Sequence, residues 1–378
     1  MRISVSSREV SSLLERLVGC DSPSGAEQSV ISELRTILRD FGIPFRLQRV
    51  DSRANIVSSL PDHRGNNLVL CSHLDTVPRA GSRAPAVPIT DGQVVRGLGA
   101  CDAKGSLVSM IVAFRSLQDS GDGRGVGIAF LVGEEESGDG GLVFVRGRRR
   151  PRYAIVGEPT QLTLPWAQAG YVHLELNSSG NPRHAFSRHG PDAMRTLLAA
   201  IRAIEEVVVR KGDALPEDER PSVFLEWVEG GSRDRFWYLR HSATAGMVVN
   251  VHPSWDVKTF VSEVRAACKS SGRAGENSSL SIRVRSWDPG FELGPHHLRD
   301  AVERALQSHS LPNPRTYMRS WTDAATLAWE GISTVVIGPG SLDHAHSPGE
   351  EVAIRDVELA ASLYASAAIS VDRWELTA

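Results

Sequence analysis

Apolar residues recur at three- and four-residue intervals in two N-terminal stretches: Leu13, Leu14 and Leu17 within 7–18, then Val30, Leu34, Ile37 and Leu38 within 26–41. Such spacing gathers them on one face of an amphipathic helix. DSPSG (21–25) between them reads as a loop and helix start. Downstream the pattern changes. NLVLCSH (67–73), VGIAFLVGEE (126–135) and YAIVGEP (153–159) are short apolar runs that each end in polar or acidic residues. A strand buried on both faces reads this way when it delivers side chains at its C-terminal end. KGSLVSMIVAFRSLQ (104–118) lies between the first two as a helix. Strands alternating with helices predict a largely parallel sheet with helices on both faces.

From Tyr171 the period shortens to two. YVHLELNSS alternates as a half-buried strand does, and a helix follows at 191–210. Polar KGDALPEDERPS (211–222) leads to alternating VFLEWVEG and TAGMVVNV, a helix at 256–269 and the strand SLSIRVRS. STVVIGPG (333–340) then returns to the buried-strand form. The pattern predicts an α/β protein: a mostly parallel-sheet catalytic domain of residues 1–168 and 287–378, carrying an inserted, smaller α+β domain at 169–286.

Composition changes this picture little. With 378 residues, 41% hydrophobic and 23% charged, the chain has material for two cores. A net charge of −3 gives no global bias towards nucleic acid or membrane, and neither partner is expected. The local exception is RGRRRPR (146–152), which lacks the interleaved aromatics of a nucleic-acid surface and reads as a solvated loop or a dock for an acidic protein. The sequence has no stretch of eighteen uninterrupted apolar residues, and MRISVSSREVSSLLERL carries no apolar run flanked by a cleavage site. Cys20, Cys71, Cys101 and Cys268 are scattered without paired spacing, as reduced thiols of a cytoplasmic protein are.

The candidate chemistry lies in SHLDTVP (72–78), GLGACDAKG (97–105), LVGEEES (131–137), VGEP (156–159) and GPGSLDHAHSPGE (338–350). They supply His73, Asp102, Glu135, Glu158 and His346, the imidazole and carboxylate types that hold hard and borderline cations. A pair of ions needs one bridging carboxylate, and Asp102 sits alone in a glycine-flanked turn. His73 and Glu135 would complete one ion, Glu158 and His346 the other. Asp75 follows His73 by two residues, which on an extended segment puts both on one face, so Asp75 can orient the imidazole. A water shared by two zinc ions about 3.5–4 Å apart becomes a nucleophile at neutral pH, and Glu134 would take its proton. Taken singly, each piece has an ordinary reading: a polar strand end at His73, a helix start at 134–136, a turn at 157–159. His344 and His346 alternate, and the spacing to Glu350 favours His346. Cys101 has no histidine partner nameable from sequence and reads as a small buried residue.

With DSPSGAE (21–27), WTDAA (321–325) and AHSPGEE (345–351) added, the chain resembles a two-metal amidohydrolase and peptidase family. That family includes acetylornithine deacetylase, succinyl-diaminopimelate desuccinylase, carboxypeptidase G and the carrier-protein lysine hydrolase of lysine biosynthesis. The resemblance implies a zinc-binding α/β domain with an inserted lid that commonly forms a homodimer. It implies two divalent ions, zinc or else cobalt, and the same roles for Asp75, Asp102, Glu134, Glu135, Glu158, His73 and His346. It also implies a cis peptide at Asp102–Ala103 and a lid histidine that stabilises the oxyanion. GNPRHAFSRHG (180–190) offers His184 for that role, with His189 as a rival and the usual proline missing. VVNVHP (248–253) carries Asn250 where the family tends to have Arg.

DAKGSL and DSPSG look most like the lysine hydrolase, WTDAA and GPGSLDHAHSPGEE like the deacetylase. The expected activity is therefore cleavage of an N-acyl or glutamyl amide, free or on an acidic carrier protein, releasing lysine, ornithine or a related diamino acid. The alternative is a metallo-dipeptidase or carboxypeptidase. A non-catalytic binding protein on the same scaffold would show a broken ligand set, which this sequence does not.

Overall fold

The computed structural model describes residues 5–58, 68–79, 87–123, 125–147, 150–184, 186, 192–231, 237–239, 241–271 and 279–375. The chain packs into two compact units. One comprises Met1–Trp166, Leu293–Thr316 and Thr322–Ala378; the other comprises Ala167–Glu292 with Tyr317–Trp321.

The first unit is built on a six-stranded sheet in the order Phe45–Val50, Arg53–Ser58, Val126–Leu131, Leu68–His73, Tyr153–Val156, Ser333–Val336. The last four run parallel, and the first two form an antiparallel hairpin on one edge. Leu68–His73, Val126–Leu131 and Tyr153–Val156 are buried at every position. Alternate residues (Leu68, Leu70, Ile128, Phe130, Ile155) join one large core with the helices Ser7–Val18, Gly105–Ser120, His297–Ser308 and Ile354–Glu375. Gly105–Ser120 is buried on nearly every side, which is why its sequence is apolar without a clean stripe. The remaining residues, Val69, Cys71, Ala129, Leu131, Ala154 and Val156, are also buried, on the opposite face. The short helices Asp139–Val145 and Asp323–Trp329 pack together and against strands of this sheet. Their close approach needs Gly141, where a Cβ would lie 2.3 Å from Asp323 Oδ1.

The second unit is a four-stranded antiparallel sheet in the order Val223–Gly230, Ser242–Val251, Gly170–Ser179, Ser279–Asp288. The helices Ala193–Gly212 and Val257–Ser271 supply its core together with Val172, Leu174, Leu176, Met247 and Val249. Asp192 caps the first of them, its side chain accepting from the N–H groups of Met194 and Arg195. Tyr317–Trp321, which sequence patterning does not assign to this unit, joins it by pairing Tyr317–Met318 in parallel with Ala167–Gln168. Asn250 holds that segment: its amide donates to Arg319 O at 3.0 Å while its Oδ1 accepts from Ser222 N. The residue that stands where the family tends to have Arg thus has a structural occupation of its own. Among the described residues, no helix is long and apolar enough to cross a membrane.

Candidate metal centre

Every acidic or imidazole side chain expected at the metal site lies in the first unit, and parallel strands explain why. Strands that run the same way end on the same edge of the sheet. His73 ends Leu68–His73, Glu134 and Glu135 follow Val126–Leu131, Glu158 follows Tyr153–Val156, and the loop bearing His346 follows Ser333–Val336. The turn before Glu134 requires Gly133, at φ 75° with the Arg53 guanidinium 2.7 Å from where a Cβ would stand.

Asp102 is 7% exposed and lies in a wide turn, 100–104, whose Asp102–Ala103 peptide is cis. One of its oxygens, Oδ1, is 3.0 Å from His73 Nε2, and the other, Oδ2, is 3.4 Å from His346 Nε2. His73 Nε2 also lies 3.9 Å from Glu158 Oε2, and His346 Nε2 3.0 Å from Glu135 Oε1. The close contacts therefore divide the set as His73 with Glu158 and His346 with Glu135, not as the order along the chain suggests. The strand carrying His73 lies between those leading to both acids, so sequence order does not encode the division. Donor atoms of His73, Asp102 and Glu135 also fall within 4.8 Å of one another, so the whole set closes on one small space.

His73 Nδ1 is 2.9 Å from the backbone carbonyl of Asp75, and 3.7 Å from that residue's carboxylate. The carbonyl is thus the nearer partner that orients the ring. The Asp75 carboxylate is instead occupied by three donors: Ser24 Oγ at 2.6 Å and the N–H groups of Glu134 and Glu135 at 3.1 Å. It anchors the turn on which the two glutamates stand. Ser24 belongs to DSPSG, and the loop runs beside 72–78 through Ser24 N to Thr76 O and Thr76 N to Ser22 O. Sequence alone made this segment only a loop; its two small hydroxyl residues beside a proline were the available signal.

Burial raises the carboxyls of Glu134 and Glu158 well above the ordinary range, opposed by His73 and reinforced by the neighbouring acids. Burial would lower His73, but its contacts with Asp102 and Asp75 outweigh this and hold it well above the usual imidazole value. Burial likewise opposes protonation of His346, yet Asp102 and Glu135 carry it up to about 10. Asp102 is held low by His346 and His73 against the cost of its burial. So many crowded acids call for positive charge. Among the described residues, Glu158 Oε1 is buried without a hydrogen-bond partner, and the oxygen and nitrogen donors suit a divalent cation.

Cys101 is buried, 3.6 Å from Ser341 O and from Glu350 Oε1, and burial pushes its thiol far up, so it is no nucleophile. His344 lines a cavity together with Leu162, Ser341 and Asp356. Asp323 of WTDAA is buried and adds its charge to Glu134 and Glu158, a neighbour that sequence reading passed over. His184 belongs to the second unit, exposed, its Nδ1 accepting from Phe186 N at 3.2 Å. His189, and Arg148 and Arg149 of the arginine run, lie outside the described residues. Arg150 pairs with Glu330 at 3.0 Å.

The model of the peptidase family M20/M25/M40 matches residues 69–370. A peptidase M20 domain-containing protein of Schizosaccharomyces pombe is 27% identical over 352 residues, 90% of this chain and 79% of the relative. A LysW-lysine/LysW-ornithine hydrolase of Sulfurisphaera tokodaii is 29% identical over 184 residues, 48% of this chain and 49% of the relative. The crystal structure of a tripeptidase from Staphylococcus aureus shares the fold, with a TM-score of 0.81 at 18% identity over 98% of this chain and 99% of that one. With a family model spanning most of its length and the donor set converging on Asp102, the chain belongs to the peptidase family M20/M25/M40, hydrolases of amide bonds that work with divalent metal ions.

Proposed function

We propose that this protein is a dizinc amidohydrolase that releases lysine, ornithine or a related diamino acid from an N-acyl or glutamyl conjugate. The observation that carries the two-ion reading is a single buried carboxylate, Asp102, each of whose oxygens faces a different imidazole. His73 with Glu158, and His346 with Glu135, would be the terminal ligands of the two sides, and cobalt is the alternative metal. When bound, such ions make water a nucleophile at neutral pH and polarise the scissile carbonyl. Glu134 Oε takes the proton from that water and returns it to the leaving amine. Asp75 fixes Glu134 and Glu135 by holding their N–H groups. His184 is assigned to the oxyanion on the resemblance alone.

The diamino-acid product is supported by the motifs shared with deacetylase and lysine hydrolase and by the name of the Sulfurisphaera relative. The arginines of 146–152 are the candidate dock for an acidic carrier protein. The second unit supports homodimerisation: its edge strand Val223–Gly230 exposes Phe224, Leu225, Trp227 and Val228, an open row that a second copy can pair.

Matched Nα-acetyl and γ-glutamyl conjugates of lysine and ornithine, incubated with protein and zinc or cobalt, test the reading by mass spectrometry of the freed amine. Release from the acetyl series alone indicates a free N-acyl substrate, and from the glutamyl series alone a carrier conjugate. Release only from a parallel dipeptide panel overturns the substrate class and makes the protein a peptidase.

A further inference from the structure

The segment 346–350 meets Asp102 twice. At one end the imidazole of His346 lies 3.4 Å from the Asp102 carboxylate. At the other, Glu350 Oε1 accepts the peptide N–H groups of Cys101 and Asp102, both at 3.2 Å. These N–H groups need an acceptor that the turn itself does not offer. Asp102 (φ −121°, ψ 90°) and Ala103 (φ −127°, ψ 34°) leave helical geometry, and Ala100, Cys101 and Ala103 are 0–1% exposed. Glu350 is itself 0% exposed. A single side-chain oxygen here serves two adjacent peptides.

The backbone of Glu350 is equally fixed. Its carbonyl accepts from Gly97 N at 3.0 Å, and Glu351–Ala353 pairs antiparallel with Val94–Arg96, reinforced by Arg96 Nε to Glu351 at 2.7 Å. On the other side the loop leans on the same turn: at Gly340 (φ 86°) a Cβ would stand 2.4 Å from that of Cys101. Glu350 is therefore held to the turn by its Oε1 and by its own backbone, while its Oε2 is buried without a hydrogen-bond partner among the described residues.

We propose that Glu350 is a positioning residue. It sets the direction of both Asp102 oxygens through the peptides that carry them and locks that turn to the loop bearing His346. The role rests on the two-metal reading above, because a bridging carboxylate must present both oxygens in fixed directions. Partners that orient ligands in this way are worth about 10–100-fold in metal affinity.

The test titrates metal-free protein with cobalt(II) alone, reading the visible absorption band and the affinity against a chelator. Wild type is expected to take up two equivalents. Glu350→Ala, and Glu350→Asp with its shorter reach, should each weaken cobalt binding by about tenfold or more and shift the band. Glu350→Gln, which keeps the accepting oxygen, should stay within about threefold of wild type. Wild-type affinity and spectrum in the Ala or Asp variant overturn the assignment, even if the melting temperature falls, since a purely structural role moves only the melt. If the Ala variant does not fold, Asp against Gln decides, and identical behaviour of those two overturns it. Failure of the wild type itself to bind cobalt would sink the two-metal reading instead.

Discussion

In the first unit, the strands Leu68–His73 and Val126–Leu131 are buried at all six positions; in the second, Gly170–Ser179 alternates between buried and half-buried along its whole length. The difference follows from strand direction. Parallel strands need crossovers that cover both faces, so no side chain along them remains for chemistry, and polar groups concentrate where the strands end. The antiparallel sheet packs the helices Ala193–Gly212 and Val257–Ser271 against one of its sides. Its other side carries His173, Glu175 and Asn177, and its edge carries exposed apolar residues. One sheet makes a site at its rim, and the other offers a face and an edge.

Four variants, one of them double, probe that contrast, taken from the largest effect to the smallest. Glu134→Gln, at the rim of the parallel sheet, should cost about 10²–10⁴-fold in kcat while zinc content by elemental analysis is unchanged. Near-normal turnover would remove Glu134 from the proton transfer. Phe130→Ala, 0% exposed within the same sheet, should cost about 3–5 kcal/mol in denaturant unfolding, with cavity formation adding to lost burial. A much smaller loss would mean that the sheet tolerates voids and is not the rigid base assumed here.

On the open edge, Leu225→Lys with Val228→Lys, both 41% exposed, should leave stability within about 0.5 kcal/mol per site. Sedimentation should nevertheless show self-association weakened by about tenfold or more. An unchanged assembly state would move the dimer contact elsewhere. The smallest effect concerns Asp288, the acid at the end of the second sheet. Burial, against a lowering contact with Trp321, raises its carboxyl from 3.8 to about 6. The folded unit then holds a proton that the unfolded chain releases. Stability from this group is fully present below the unfolded value and fades as pH rises through about 6. Asp288→Asn should flatten that window and gain about 1 kcal/mol at neutral pH after allowance for its partial exposure. A melting curve that keeps its slope between these pH values would assign the dependence to another group.

The strands and helices with strong periodicity were legible from sequence, among them Ser7–Val18, Gln28–Asp40 and Gly170–Ser179. His73, Glu135 and Glu158 stood out as candidates because an apolar run that turns polar or acidic reveals a strand end. Missed were the hairpin Phe45–Val50 and Arg53–Ser58, whose first strand lacks a clean alternation of buried and exposed positions, and the short strands Val94–Arg96 and Glu351–Ala353, which are held by long-range pairing and not by local pattern. The division of ligands escaped for the same kind of reason: which acid meets which imidazole depends on strand neighbours. Asp75 illustrates the limit within one motif. Its spacing from His73 suggested a carboxylate turned to the ring; the carboxylate lies 3.7 Å from Nδ1, but the peptide carbonyl is nearer and the carboxylate also holds the turn of Glu134 and Glu135.

The sequence by itself determined the donor types, their order and the alternation of buried and half-buried strands, since these follow from side-chain chemistry and from periods of 2 and 3.6 residues. Only the tertiary structure decided which imidazole faces which oxygen of Asp102, that Ser24 bonds Asp75 and Glu350 the peptides of Cys101 and Asp102, and that Tyr317–Trp321 belongs with the second unit. Those relations join residues far apart in the chain, up to 249 positions for Cys101 and Glu350. Local pattern carries no record of such distances; packing and the need to satisfy buried N–H groups set them.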